Sequence, residues 1–180
     1  MYLRPATLED VPALAALGRE SFIHAFGHLY RPEDLAAFLD EVHAESAVAE
    51  EIAGDQCRHQ LAIGDDGALI GYCKLRYPSK MADIARADDP LELGQLYCAG
   101  SATGQGVGGA LMRWALSEGD AGGHDAMVLS VYSENYGAQR FYERHGFAKT
   151  ADTIFRVGEH IDAEFLYEKP LRRQQTGKQA

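Results

Sequence analysis

The stretch Thr103-Gly104-Gln105-Gly106-Val107-Gly108-Gly109-Ala110 decides how this chain is read. It separates an apolar run at 93–98 from a helical run that begins at Val107. Four glycines within six positions at a strand-to-helix junction leave a loop without bulk. Successive backbone N–H groups can then point at one anion beside a helix N-terminus. A phosphate-bearing cofactor is the first expectation. Gly104, Gly106 and Gly109 satisfy GxGxxG, but the dinucleotide form of that motif wants an acidic residue about 20 positions further on. That window holds Leu129 and Ser130, inside an apolar run. A Walker loop closes with Gly-Lys and then Ser or Thr, whereas Gly108 is followed by Gly109. A tight turn without a ligand remains the plain alternative, and the downstream sequence weighs against it.

After the next strand comes Asn135-Tyr136-Gly137-Ala138-Gln139-Arg140-Phe141-Tyr142-Glu143-Arg144-His145-Gly146-Phe147. Ala138, Phe141, Tyr142 and His145 recur at the spacing of one helix face, Asn135 is placed to cap the helix, and Gly146 to stop it. The order strand, glycine loop, amphipathic helix, strand, then NxxAxxFYxxxGF resembles the GNAT superfamily of acetyl-CoA-dependent N-acetyltransferases. The likeness is strongest over 92–147, with support from 1–18 and from the closing strands to Leu171.

The resemblance implies direct transfer of acetyl from acetyl-CoA, as cosubstrate, to an amine in a ternary complex. Backbone amides of the loop Thr103, Gly104, Gln105, Gly106, Val107, Gly108 and Gly109 would hold the pyrophosphate. Thr103 stands where the family commonly has Gln or Arg, and Gly100 where it has a proline. Leu96, Tyr97 and Cys98 of the central strand would pair with pantetheine amides and offer an N–H to the acetyl carbonyl. In that arrangement Cys98 acts through its backbone rather than its thiol. Asn135 would reach the pantetheine arm or serve as a cap. Ala138, Phe141 and Tyr142 lie on the cofactor side of their helix, Phe141 being equally readable as core, and the Tyr142 hydroxyl would protonate the departing CoA sulfur.

The acceptor poses the harder problem. An amine with a pKa of about 10.4 is neutral in only about one molecule in 2,500 at pH 7, a cost of about 4.6 kcal/mol. A base or a desolvating pocket has to meet that cost. Glu92, entering the central strand, is the expected base or amine anchor, with a merely solvated carboxylate as the alternative and Glu134 as a weaker choice. In the family the acceptor site is built by the first helices and by the segment before the central strand, here 22–30 and 83–92. Phe26 and Tyr30 with Asp88, Asp89 or Glu92 would hold an aliphatic polyamine, unless the aromatics form a small satellite core. The run 22–26 leading into 33–35, and the ending 155–158 to 168–171, also resemble the polyamine-acetylating branch. Peptide or protein N-acetylation and a non-catalytic acetyl-CoA-binding module stay open as alternatives. Dimers through a sheet edge or helices are frequent in the family, which leaves a homodimer open as well.

The composition fits this reading. The chain has 180 residues, 46% hydrophobic and 24% charged, enough for one domain with a substantial core. The expected domain spans 1–171, followed by a polar, frayed tail at 172–180. No apolar run approaches the roughly 18 residues of a membrane span, and the start lacks a hydrophobic signal segment, so a cytoplasmic protein with no membrane partner is expected. A net charge of −10 disfavours nucleic acid and favours a cationic small molecule. Cys57, Cys73 and Cys98 are odd in number and widely spaced, which reads as reduced thiols. His24 and His28 have zinc-like spacing but no third ligand, so no metal is assigned.

The expected fold is α/β (α+β): a mixed, mostly antiparallel sheet of about seven strands with a splayed parallel pair and helices on both faces. Strands are expected at 2–6, 59–64, 68–77, 92–98, 126–132, 147–157 and 160–168, with 78–90 as a mobile loop.

Overall fold

The computed structural model describes residues 1–172, so the expected tail falls almost wholly outside it. The chain runs β1 (Tyr2–Pro5), α1 (Val11–Phe26), α2 (Pro32–Val42), α3 (Glu45–Ala53), β2 (Cys57–Ile63), β3 (Leu69–Arg76), β4 (Pro90–Cys98), α4 (Val107–Gly122), β5 (Ala126–Tyr132), α5 (Tyr136–Arg144), β6 (Ala148–Val157) and β7 (His160–Pro170). Single 3-10 turns precede α1, α2 and the glycine loop. One seven-stranded sheet has the order β1-β2-β3-β4-β5-β7-β6. Among the described residues only β4 and β5 pair in parallel.

Alternation along the strands sorts the side chains onto two faces. Ala62, Cys73, Leu91 and Leu93 join Leu111, Met112 and Ala115 of α4 in one core cluster, against which Phe141 and Tyr142 of α5 pack. Their neighbours Leu61, Ile63 and Tyr72 join Val11, Leu14 and Leu17 of α1 and Val48 of α3 on the other face. A third cluster, Phe22, Phe38, Leu39 and Val157, ties α1 and α2 to β6. Among the described residues no helix is long and apolar enough to cross a membrane. The three cysteines are free; Cys57 and Cys73 are buried and Cys98 is half-buried.

Helix α1 continues through Phe26, where Phe22 and Phe26 sit one turn apart and their rings meet at 5.3 Å between centroids. Two segments differ from expectation. Strand β4 starts at Pro90 rather than Glu92, since Pro90 and Leu91 already pair with Ala126 and Met127. The polar segment 78–90 is a loop, but carboxylates hold its backbone. The N–H of Lys80 donates to Glu92, that of Arg86 to Glu168, and those of Asp88 and Asp89 to Asp125.

Candidate active site

The parallel ladder is short. It runs through Pro90, Leu91 and Glu92 opposite Ala126, Met127 and Val128, and then stops. A bulge at Gly94 shifts the β3–β4 register, so that Lys74 faces Gln95 and Leu75 faces Leu93. Bulges bend the strand that carries them, and β4 turns away from β5. Beyond Glu92 the edge of β4 that faces β5 carries unpaired backbone, while β5 continues to pair with β7 as far as Tyr132. A cavity of about 1190 Å³ opens along this divergence. It extends from Gly100, Ser101 and Thr103 at the loop, past Leu96, Tyr97 and Cys98, to Phe26, Tyr30 and Glu92. Asn135, Ala138 and Tyr142 of α5 complete its wall.

Residues 104–109 follow Thr103 but do not line the cavity; Gly104 and Gly106 have φ of 79° and 83°, the left-handed region in which a side chain is strained. The helix ladder of α4 opens with the bond from Ala110 N–H to the Gly106 carbonyl, leaving the amides of Val107, Gly108 and Gly109 ahead of it. The N–H of Gly108 is directed at the Cys98 sulfur, and the N–H of Gln105 donates to Ala102. Gln105 and Thr103 also brace the loop through their side chains, donating to the carbonyls of Ser101 and Ala99 at 2.7 and 3.4 Å. Phe141 does not line the cavity; its ring lies 3.6 Å from where a Gly108 side chain would begin and packs α5 onto α4. Asn135 does cap α5, accepting from Ala138 N–H at 3.1 Å.

Tyr142 faces the gap. Burial, then the charge of Glu164, then Cys98 push its hydroxyl above the usual phenol range, which keeps it protonated at neutral pH. Glu92 is 7% exposed and sits where the strands part. Its Oε2 accepts from Ser79 Oγ at 3.1 Å and from Lys80 N–H at 2.7 Å, so the loop 78–90 sets the orientation of this carboxylate. Phe26 stands edge-on to Tyr132, and Tyr30 stacks on Phe22 and donates its hydroxyl to Asp162. The other sequence-stretch acids lie elsewhere: Asp89 meets His124 at 3.1 Å, and neither it, Asp88 nor Glu134 lines the cavity. His24 lines the rim. Among the described residues no three His, Cys, Asp or Glu side chains gather as a metal site would need.

Sequence reasoning missed the far wall. Ser130 on β5 and Asp162 and Glu164 on β7 all line the cavity, and Ser130 Oγ donates to Glu164 Oε2. Burial, and next the charge of Asp162, raise the Glu164 carboxyl to about 7. Asp162 and Glu164 fall two apart in a strand whose intervening and following residues are apolar. That pattern is the one trace they leave in the sequence.

Comparison with known proteins agrees with this geometry. The profile of the Acetyltransferase (GNAT) family matches residues 21–147. An uncharacterized N-acetyltransferase of Mycobacterium bovis is 31% identical over 165 residues, covering 91% of this chain and 99% of that protein. One encoded in the pepI 3' region of Lactobacillus delbrueckii subsp. lactis is 29% identical over 165 residues, 91% of this chain and 93% of its own length. Among solved structures, the PaiA N-acetyltransferase of Thermoplasma acidophilum in complex with coenzyme A superposes with a TM-score of 0.76 at 22% identity, over 94% of this chain and 98% of that one. NAA60 of Arabidopsis thaliana in complex with a bisubstrate analogue gives 0.73 at 16% identity, over 96% and 99%. These likenesses below 25% identity speak for the fold, and the profile and the curated relatives for the kinship. With the glycine loop, the open β4 edge and the matching profile together, this chain belongs to the GNAT family of acetyl-CoA-dependent N-acetyltransferases.

Proposed function

We propose that the protein acetylates a primary amine of a small cationic molecule by direct attack on acetyl-CoA, with an aliphatic polyamine as the substrate class. One observation carries the reading: a single cavity runs from Thr103, where the glycine loop begins, along the unpaired β4 edge to a wall of aromatic and carboxylate side chains. The loop amides between Gly104 and Gly109 that are not turned to Ala102 or Cys98, those of Val107 and Gly109 among them, take the pyrophosphate at the N-terminus of α4. The thioester then lies along Leu96, Tyr97 and Cys98, whose backbone pairs with pantetheine and polarises the acetyl carbonyl. Asn135 and Ala138 flank that arm, and Phe141 supports the helix that carries them.

Tyr142 gives its proton to the leaving sulfur. Glu92, fixed by Ser79 and Lys80, anchors the ammonium end of the acceptor, while Phe26 and Tyr30 cover its carbon chain. A net charge of −10 adds general attraction for such a cation. One domain over 1–171 contains all of these parts. Helix α1 and the turn after it bring Phe26 and Tyr30 into the cavity wall, which favours a small amine over a polypeptide.

The test is release of CoA thiol from acetyl-CoA in the presence of a panel of polyamines, lysine, aromatic amines and N-terminal peptides. Turnover on polyamines supports the reading. Turnover on peptides alone replaces it with protein N-acetylation, and tight acetyl-CoA binding without transfer to any amine replaces it with a binding module.

A further inference from the structure

We propose that Glu164, on the strand next to β5, is the general base that takes the proton which the acceptor ammonium must lose. The assignment rests on the acetyl-transfer reading above and goes beyond it by naming the proton's destination. Along β7, Phe165 and Tyr167 turn to the α4 and α5 core, so Glu164 points to the opposite face, the one that carries Glu92, Gln95 and Tyr97. It stands opposite Tyr132 of β5 and opposite Thr153 of β6. Tyr142 reaches the gap from α5 and feels both Cys98 on β4 and Glu164 on β7. A thioester lying on the β4 edge is thereby bracketed, with the phenol and this carboxylate both turned to the same opening.

The two cavity carboxylates differ in what holds them. Glu92 gives Oε2 to two donors and sits among strand pairs that are still bonded, an arrangement that orients a charge. Glu164 has the Ser130 hydroxyl on one oxygen and lies where the strands have separated. The titratable groups around it are Tyr97 from β4, Tyr132 from β5, Tyr142 from α5, Tyr30 ahead of α2 and Asp162 on its own strand, with Glu20 and His24 of α1 lining the same cavity. Tyr30 donates to Asp162, so the phenol does not occupy Glu164. Burial and the charge of Asp162 poise the carboxyl at about 7, where a base is about half ionised at neutral pH and, once ionised, takes up a proton readily.

The steps balance. The ammonium passes one proton to Glu164, and the free amine attacks the thioester carbon to give a zwitterionic tetrahedral intermediate. As the C–S bond breaks, Tyr142 protonates the sulfur. The nascent amide nitrogen returns a proton to the Tyr142 phenolate through water, and Glu164 discharges its proton to solvent.

The experiment compares pH profiles of kcat/KM for wild type, Glu164→Gln, Glu164→Asp and Glu92→Gln, using acetyl-CoA and the best amine of the panel. For wild type the profile should bend near pH 7, with activity rising above the bend. Glu164→Gln should lose at least about 100-fold and lose the bend, with acetyl-CoA affinity unchanged by calorimetry. Glu164→Asp should keep the bend at a reduced rate, and Glu92→Gln should keep it while the amine KM rises. A bend that survives in Glu164→Gln, or disappears in Glu92→Gln, overturns the assignment and leaves acetyl transfer standing. Absence of turnover by wild type on every amine overturns both. Should Glu164→Gln fail to fold, Ser130→Ala decides the matter: loss of the donated hydroxyl moves the bend to higher pH, and an unmoved bend counts against Glu164.

Discussion

A single oxygen atom separates two accounts of Tyr142. If its hydroxyl supplies the sulfur with a proton, Tyr142→Phe should cut kcat by about 100-fold or more while calorimetry returns the same dissociation constant for acetyl-CoA. A ring that only packs would leave kcat near wild type. Glu92→Gln belongs to the same scale. Loss of a charge-assisted contact costs about 1.5–3 kcal/mol, so the amine KM should rise about 10- to 100-fold with little change in kcat, read from initial rates at saturating acetyl-CoA. That Tyr142 and Glu92 share one cavity wall was legible in the sequence because each sits in or beside a motif whose order along the chain mirrors its order in space. Glu164 was not. It lies 72 positions from Glu92, and nothing local shows that its strand face opens into a cavity walled by α1 and Tyr30. Asp88 and Asp89 misled for the converse reason. They neighbour Glu92 in sequence, but their backbone binds Asp125 at the far end of the β4–β5 ladder.

Helices and strands follow the chain's periodicities closely, and the departures have local causes. The β4, glycine loop, α4, β5, α5 order was readable from apolar runs and from glycines at the junctions. The β4 bulge was not, since Gly94 inside an apolar run looks the same whether the strand is straight or bent. Two glycine substitutions separate conformation from packing at this scale. Gly106→Ala meets nothing within 4 Å but places a side chain at φ 83°, costing about 1–2 kcal/mol. It should weaken acetyl-CoA binding, because the same residue aims the first amides of α4. Gly18→Ala is a packing test, for its side chain would begin 2.5 Å from His43 Nδ1 and 2.8 Å from the Tyr72 hydroxyl. Overpacking there should cost about 1–3 kcal/mol, or about 2–12 °C in Tm, by scanning calorimetry, with the donor site untouched.

Across the whole molecule, the buried His43 and the half-buried Glu164 tilt stability with pH in opposite senses. His43, 2% exposed among Phe22, Phe38 and Tyr97, is lowered to about 4 by burial, with the charges of Lys74 and Arg19 adding to it. The unfolded chain therefore takes up a proton below about pH 6.5 that the folded one refuses, and stability falls from there down to about pH 4. Replacing His43 with Leu should flatten that acid limb of the Tm profile. Glu164 is raised to about 7, so its contribution is complete below the ordinary carboxylate range and is lost as pH climbs through 7. Glu164→Gln should accordingly melt higher than wild type above pH 7, a gain in stability at the expense of the reaction. The open β4–β5 edge has a mechanical consequence too. Only three residue pairs, 90–92 with 126–128, stitch the sheet across its middle, so the leaf β1–β4 and the leaf β5–β7 meet at a narrow seam. A pantetheine arm laid into the opening is a rung as well as a reactant. Deuterium uptake at 95–98 should slow when it arrives, and the two leaves should then melt as one.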